Sequence, residues 1–229
     1  MIVYLDLETT GLSVLTDHIV EIGCVHAKGV VFTTVANPLV RSSGPAVHGT
    51  SDAELLEGPT FNAAFPRFVY FLESLVDNAF STDEEDSSIE LPDQPTLPHM
   101  KTESPEIVVV AHNGIKFDFP FLLSECYRAR LPLDFFAKLK YVDTLSMVRA
   151  VDGQLYGGCM KLQCMLLHLG ERGEGTSLWA HRALDDAVIL KDVVNNIAHR
   201  LGVSTNCLLS MFSHELDVGA SVAHLSSII

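Results

Sequence analysis

Positive charge is what this chain has least of. Its 229 residues carry 15 lysines and arginines against 29 acids, a formal net charge of −14. That balance excludes broad electrostatic gripping of a nucleic-acid duplex. No apolar run reaches the length of a membrane span, so no membrane partner is expected. No basic segment precedes the first apolar stretch and no arginine occurs before Arg41, so neither a secretory signal nor a transit peptide is expected. The five cysteines (Cys24, Cys126, Cys159, Cys164, Cys207) lack any repeated spacing. That excludes a disulfide framework and points to reduced, buried thiols in a cytoplasmic or nuclear protein. Cys159, Cys164 and His168 do not have the spacing of a standard zinc site either.

What is present reads as one α/β domain. Hydrophobic residues make up 48% of the chain and charged ones 19%, a globular balance rather than a disordered one. Ile2, Val3, Tyr4 and Leu5 predict a buried strand, which runs into Asp6-Leu7-Glu8 and then Thr9-Thr10-Gly11-Leu12. Residues two apart on a strand share a face, so Asp6 and Glu8 project side by side and Leu7 faces the other way. Two such acids repel each other, and taking them out of water raises their pKa. A divalent cation between them resolves both costs; two solvated acids at an ordinary strand end are the plainer alternative.

The chain then predicts two more β-rich runs, His18 to Val25 and Val30 to Ala36, which complete an antiparallel trio. Ser51 and Glu54 have the pattern of a helix start. Phe65, Phe68, Val69, Leu72, Leu75 and Val76 recur at helical spacing and read as core. Nine acids and one base, Lys101, fall between Asp77 and Glu106, a local net of −8 that leaves −6 for the rest. This stretch, about 78–105, reads as a solvated insertion. Ile107 to Ala111 is a buried strand, and Ile115 to Arg130 has helical spacing, with Asp118 in its first turns. Tyr141-Val142 predicts a further strand, capped into a helix by Asp143-Thr144. Lys161 to Leu169 is a short helix, and Glu171 to Ser177 a Gly-rich loop. Trp179 to His181 open a long last helix that carries Asp186. Cys207 to Glu215 reads as one more helix, ahead of an apolar tail.

Taken together, Asp6-x-Glu8, Asp118 and Asp186, with His181 five residues before the last, resemble the DEDD exonucleases of the DnaQ-like superfamily in their His-bearing subgroup. Asp6-Leu7-Glu8-Thr9-Thr10-Gly11-Leu12 resembles the first motif of that family without a departure. Ala111-His112-Asn113-Gly114 with Phe117-Asp118-Phe119-Pro120 resembles the second motif, closest to Trex-type repair exonucleases. His181-Arg182-Ala183-Leu184-Asp185-Asp186-Ala187 fits the third. Val47-His48-Gly49, Asp52 and Pro59-Thr60-Phe61 are similar to the proofreading exonuclease of bacterial replicative polymerases. Of the adjacent acids, the family spacing selects Asp186. Neighbouring helical residues point about 100° apart, so Asp185 is expected to be exposed.

The resemblance implies a ribonuclease H-like mixed sheet flanked by helices, with an exonuclease domain over 1–201 and a C-terminal helical extension over 202–229. It implies hydrolysis from the 3′ end of single-stranded or frayed DNA with two Mg²⁺ ions, replaceable by Mn²⁺, releasing nucleoside 5′-monophosphates in repair or proofreading. Asp6, Glu8, Asp118 and Asp186 are the implied metal ligands, and His181 the implied general base. Thr9, Thr10, Leu12, Asn113 and Phe117 are the implied contacts to the terminal nucleotides. A total charge this acidic suits an enzyme that holds a few terminal phosphates through metal ions. Trex-type enzymes carry a proline-rich insertion after the second motif; this chain has its acidic insertion before it. An RNA 3′ exonuclease of the same fold and a catalytically silent binding module are the alternatives. A protein partner, such as a polymerase, has the acidic insertion or the tail after Gly202 to engage.

Overall fold

Alternation along the first strand sets the architecture. The computed structural model describes residues 1–40, 49–78, 106–152, 158–168 and 182–219. β1 (Ile2–Thr9) lies inside a six-stranded sheet. On one side β2 (Ile19–His26) pairs antiparallel with it and β3 (Val31–Val35) continues antiparallel, as the sequence predicts. On the other side β4 (Ile107–Ala111) and β5 (Leu139–Asp143) run parallel. The strand order is β3-β2-β1-β4-β5-β6, where β6 is the two-residue edge strand His214–Glu215, antiparallel to β5.

Val3, Leu5 and Leu7 point to one face of the sheet. There they meet Phe65, Phe68 and Leu72 of α2 (Phe61–Asn78) and Phe119 and Leu122 of α3 (Asp118–Arg128). The stripe read as core from its spacing is core. Phe65 stacks on Phe136 with ring centroids 5.7 Å apart and meets Phe135 edge-on at 6.0 Å. Aromatic pairs of this kind contribute about 0.5–1.5 kcal/mol beyond the area they bury. Tyr4, Val110 and Val142 point to the opposite face. That face is covered by α4 (Thr144–Asp152), α5 (Leu162–His168), α6 (Ala183–Arg200) and α7 (Thr205–Phe212). The remaining helix, α1 (Asp52–Glu57), begins with the predicted reciprocal cap: Ser51 Oγ accepts from the Glu54 amide, and Glu54 accepts from the Ser51 amide.

Three expectations need correction or fall elsewhere. The helix expected over Cys207 to Glu215 stops at Phe212, because Ser213 is extended (φ −78°, ψ 139°) and turns the chain back along β5. Lys140 Nζ then donates to Glu215 Oε1 at 2.7 Å across that edge. The thiols are not all reduced: Cys159 and Cys164 form a disulfide, while Cys24 and Cys126 are buried free thiols and Cys207 is exposed. The bonded pair removes the thiol argument for a cytoplasmic or nuclear place. Most of the acidic insertion (79–105), the Val47-His48 pair, the Glu171 to Ser177 loop, Trp179 to His181 and residues 220–229 lie outside the described residues. Among the described residues no helix is long and apolar enough to cross a membrane.

Candidate active site

The face of β1 that begins with Ile2 and Tyr4 ends on Asp6 and Glu8, so an apolar surface gives way to two carboxylates along a single strand. Opposite them on β2 stand Gly23, paired with Asp6, and Glu21, paired with Glu8. Gly23 decides how close the last long helix comes. A Cβ built there would lie 2.2 Å from the Ala183 carbonyl carbon and the Leu184 nitrogen, both backbone. No side chain fits, so the first turn of α6 rests directly on the sheet. Asp186, in that first turn, is thereby carried over Asp6 and Glu8.

One oxygen from each of Asp6, Glu8 and Asp186 lies within 4.8 Å of the other two. Asp185, one residue earlier, is exposed while Asp186 is 8% exposed, as the 100° helical step requires. Asp118 arrives from the other side, at the first residue of α3, beyond the carboxyl end of β4. It is buried, and its carboxylate accepts from the Leu7 amide and from its own amide. It stands close enough to Asp6 to raise that residue's pKa but is outside the set of three converging oxygens.

The electrostatics follow from this crowding. Burial, then the charges of Asp118, Asp186, Glu8 and Glu21, hold the Asp6 carboxyl well above the usual range. Burial, then Asp186, Glu21 and Asp118, push Glu8 up to about 8, against a smaller pull from Arg182. Burial pushes Asp118 up to about 7, opposed by its two amide bonds. Carboxylates packed this way carry more negative charge than their surroundings accommodate. Their donors are all hard oxygens beside a cavity, the chemistry that suits a divalent cation such as Mg²⁺.

That cavity has a volume of about 510 Å³ and is lined by Asp6, Asp118 and Asp186, together with Leu12, Asn113 and Phe117. Leu12 is 83% exposed at its rim. Asn113 adopts a left-handed backbone (φ 61°), and its carbonyl accepts from the Lys116 and Phe117 amides, a tight turn that sets Phe117 against the cavity. Thr9 and Thr10 are not among the lining residues. Thr9 Oγ1 donates to the Gly11 carbonyl at 2.6 Å, and the Thr10 amide donates to the His18 carbonyl at 2.8 Å. Thr10 Oγ1 accepts from the His18 amide at 2.9 Å. His181 lies outside the described residues.

Several residues escaped sequence reasoning. Glu21 is 1% exposed, and Arg182 clasps it with Nε at 3.0 and 3.2 Å from the two carboxylate oxygens. Glu21 also accepts from the Ala183 amide at 3.4 Å, so it caps the start of α6 from the strand beneath it. Arg182 reaches Glu54 of α1 at 3.4 Å as well. Arg149, Lys161 and Gln163 line the cavity, and Gln163 donates to Asp186 Oδ1 at 3.4 Å. His112, inside the second motif, engages both ring nitrogens: Nδ1 meets Thr144 Oγ1 at 2.9 Å and Nε2 meets the Met160 carbonyl at 2.8 Å. Burial lowers its pKa, which suits a wall residue. Glu21 had a local signal as a lone acid inside an apolar strand, and His112 and Arg182 stood inside the motifs without a role assigned to them.

The geometry has counterparts among known proteins. No protein-family model matches the chain. The chain is 26% identical over 228 residues to exonuclease DPD1, chloroplastic/mitochondrial, of Arabidopsis thaliana. That match covers 95% of the chain and 62% of the plant protein, so the chain spans about three-fifths of its relative's length. Among solved structures, the zinc-bound form of E. coli ExoI in complex with single-stranded DNA superposes with a TM-score of 0.60. That match has 15% identity and covers 88% of this chain and 41% of that one. A full-length 3′-exonuclease superposes with a TM-score of 0.58 at 16% identity, over 89% of this chain and 61% of that one. The sheet and its flanking helices thus share the ribonuclease H-like fold of these exonuclease structures.

Proposed function

We propose that this exonuclease fold is a divalent-metal-dependent 3′→5′ exonuclease acting on single-stranded or frayed DNA ends and releasing nucleoside 5′-monophosphates. The observation that carries the reading is the convergence of Asp6, Glu8 and Asp186, two of which, Asp6 and Asp186, line a cavity of nucleotide size together with Asp118. Asp6, Glu8 and Asp186 would hold one ion, and Asp6 with Asp118 a second. When bound, such ions stabilise the attacking and leaving oxygens of an in-line displacement at phosphorus.

The chain's own groups account for the remainder. Phe117 and Leu12 offer apolar surface along the cavity for the terminal base, contacts that tolerate any sequence at about 1–3 kcal/mol per base. Asn113 faces the same space, and Lys161 and Arg149 supply cations for phosphate oxygens. Thr9 and Thr10 hold the turn that carries Leu12. His181 takes the proton of the attacking water, a task suited to an imidazole near neutral pH. The bond to the penultimate 3′ oxygen breaks, and the terminal nucleotide leaves with its phosphate. Preference for single strands fits a net charge of −14, which disfavours gripping a duplex.

Matched single-stranded DNA and RNA oligonucleotides with a 5′ label test this directly, with Mg²⁺, Mn²⁺ and the Asp186→Ala protein alongside. A metal-dependent ladder shortening from the 3′ end of DNA is expected. A ladder on RNA alone would move the substrate to RNA. No ladder from a well-folded protein would replace the enzyme with a binding module.

A further inference from the structure

One wall of the cavity is held by a small covalent ring. Cys159 and Cys164, five residues apart, are joined by a disulfide. All four residues within the ring, Met160, Lys161, Leu162 and Gln163, line the cavity. Two of them connect it to the site: the Met160 carbonyl meets His112 Nε2 at 2.8 Å, and the Gln163 amide donates to Asp186 Oδ1 at 3.4 Å. The bond also straddles a boundary in the backbone, since Cys159 precedes α5 and Cys164 lies inside it. The Lys161 carbonyl accepts from the Met165 amide at 3.0 Å, so the ring encloses the start of that helix.

The other cysteines are placed differently. Cys24 and Cys126 are buried, and burial holds their thiols well above the ordinary value, which suppresses the reactive thiolate. Cys207 is exposed on α7 and does not line the cavity. Cys159 and Cys164 are half-buried and open to a small reagent.

We propose that the Cys159–Cys164 disulfide is a redox-sensitive latch that holds Met160–Gln163 in the cavity wall, so that reduction slows turnover and reoxidation restores it. The effect on turnover rests on the exonuclease reading; the latch itself does not. The reductant is a dithiol. One of its thiolates attacks a cysteine sulfur, the S–S bond breaks, and a mixed disulfide forms. Its second thiol then displaces the protein sulfur. Two electrons and two protons pass to Cys159 and Cys164, and the dithiol leaves as its own disulfide. Opening the ring returns backbone freedom to four lining residues and loosens the partners of His112 and Asp186.

The test compares the full chain, oxidised and dithiothreitol-reduced, with Cys207→Ser and with the double variant Cys159→Ser/Cys164→Ser. Alkylation in denaturant should count three free thiols before reduction, those of Cys24, Cys126 and Cys207, and all five after it. Trimming of labelled single-stranded DNA should fall about tenfold on reduction, through lost positioning of the cavity wall, and return on reoxidation. Cys207→Ser should respond like the parent, and the double variant should be slow and indifferent to dithiol. If neither redox form trims DNA, the exonuclease reading fails, and the latch is decided by the rise in Tm on adding Mn²⁺. That rise should be larger for the oxidised form. Five free thiols before reduction, a dithiol response in the double variant, or equal rates and equal Mn²⁺ shifts in both redox states would overturn the proposal.

Discussion

The two faces of the sheet treat the end of β1 differently. On the face of Val3, Leu5 and Leu7 the apolar pattern runs on to Leu7, under the phenylalanines of α2 and α3. On the face of Ile2 and Tyr4 it stops, and Asp6 and Glu8 take over beneath the first turn of α6. The side chains alternate on the same backbone, so one strand serves both purposes, and its pairing with β2 shifts register only past Glu8. Stability is concentrated where the packing is aromatic and many-partnered. The candidate site is placed where burial and neighbouring acids hold the Asp6 and Glu8 carboxyls above their usual range, and where a bound cation, not packing, would restore the balance.

That contrast can be broken from either side. Phe65→Ala empties the centre of the aromatic face, and a loss of about 3–5 kcal/mol in urea unfolding is expected, with the specific activity of the folded fraction retained. Asp186→Ala acts on the other face. Trimming of DNA is expected to fall at least about a hundredfold, while metal-free thermal stability holds or rises, because a repelling acid has been removed. A residual activity above a hundredth of the parent's would count against the two-metal assignment. Gly23→Ala tests the seating of α6. The new methyl meets backbone at 2.2 Å, so the helix must lift. A loss of about 1–3 kcal/mol is expected, with weaker metal binding by calorimetry.

The smallest effect sharpens the comparison through pH. The Glu8 carboxyl titrates at about 8 in the folded protein against an ordinary 4.5, so the fold favours its protonated form. Its contribution is fully present below pH 4.5 and is lost as pH rises through about 8. The Tm of the metal-free protein should therefore drop over that window, and millimolar Mg²⁺ should remove most of the drop. Glu8→Gln should flatten the profile in the same scan. An unchanged slope in Glu8→Gln would assign the pH dependence to other groups.

Local patterns carried the parts of the molecule that sequence could reach. Period two placed Asp6 and Glu8 together, and period 3.6 separated Asp186 from Asp185 and picked out the core face of α2. The capping pair Ser51 and Glu54 needed only its three-residue spacing. The rest depended on contacts that leave no local trace. Arg182 and Glu21 are 161 residues apart and meet only because α6 docks on β2. Gly23 reads as one small residue in an apolar strand until the helix is laid across it. The Cys159–Cys164 pair carries no standard motif, and the edge strand His214–Glu215 is too short to have a period.

Asp6 belongs to the first strand and Asp186 to one of the last helices, and nothing between them in sequence substitutes for their meeting. The order of events during folding follows from that separation. The hairpin of β1 and β2 closes locally, whereas α6 is among the last of the elements to be synthesised. Until α6 lands, Asp186 stands apart from Asp6 and Glu8, and the Tyr4 face lacks its largest cover. The cluster of Asp6, Glu8 and Asp186 is therefore complete only once α6 is seated on the sheet.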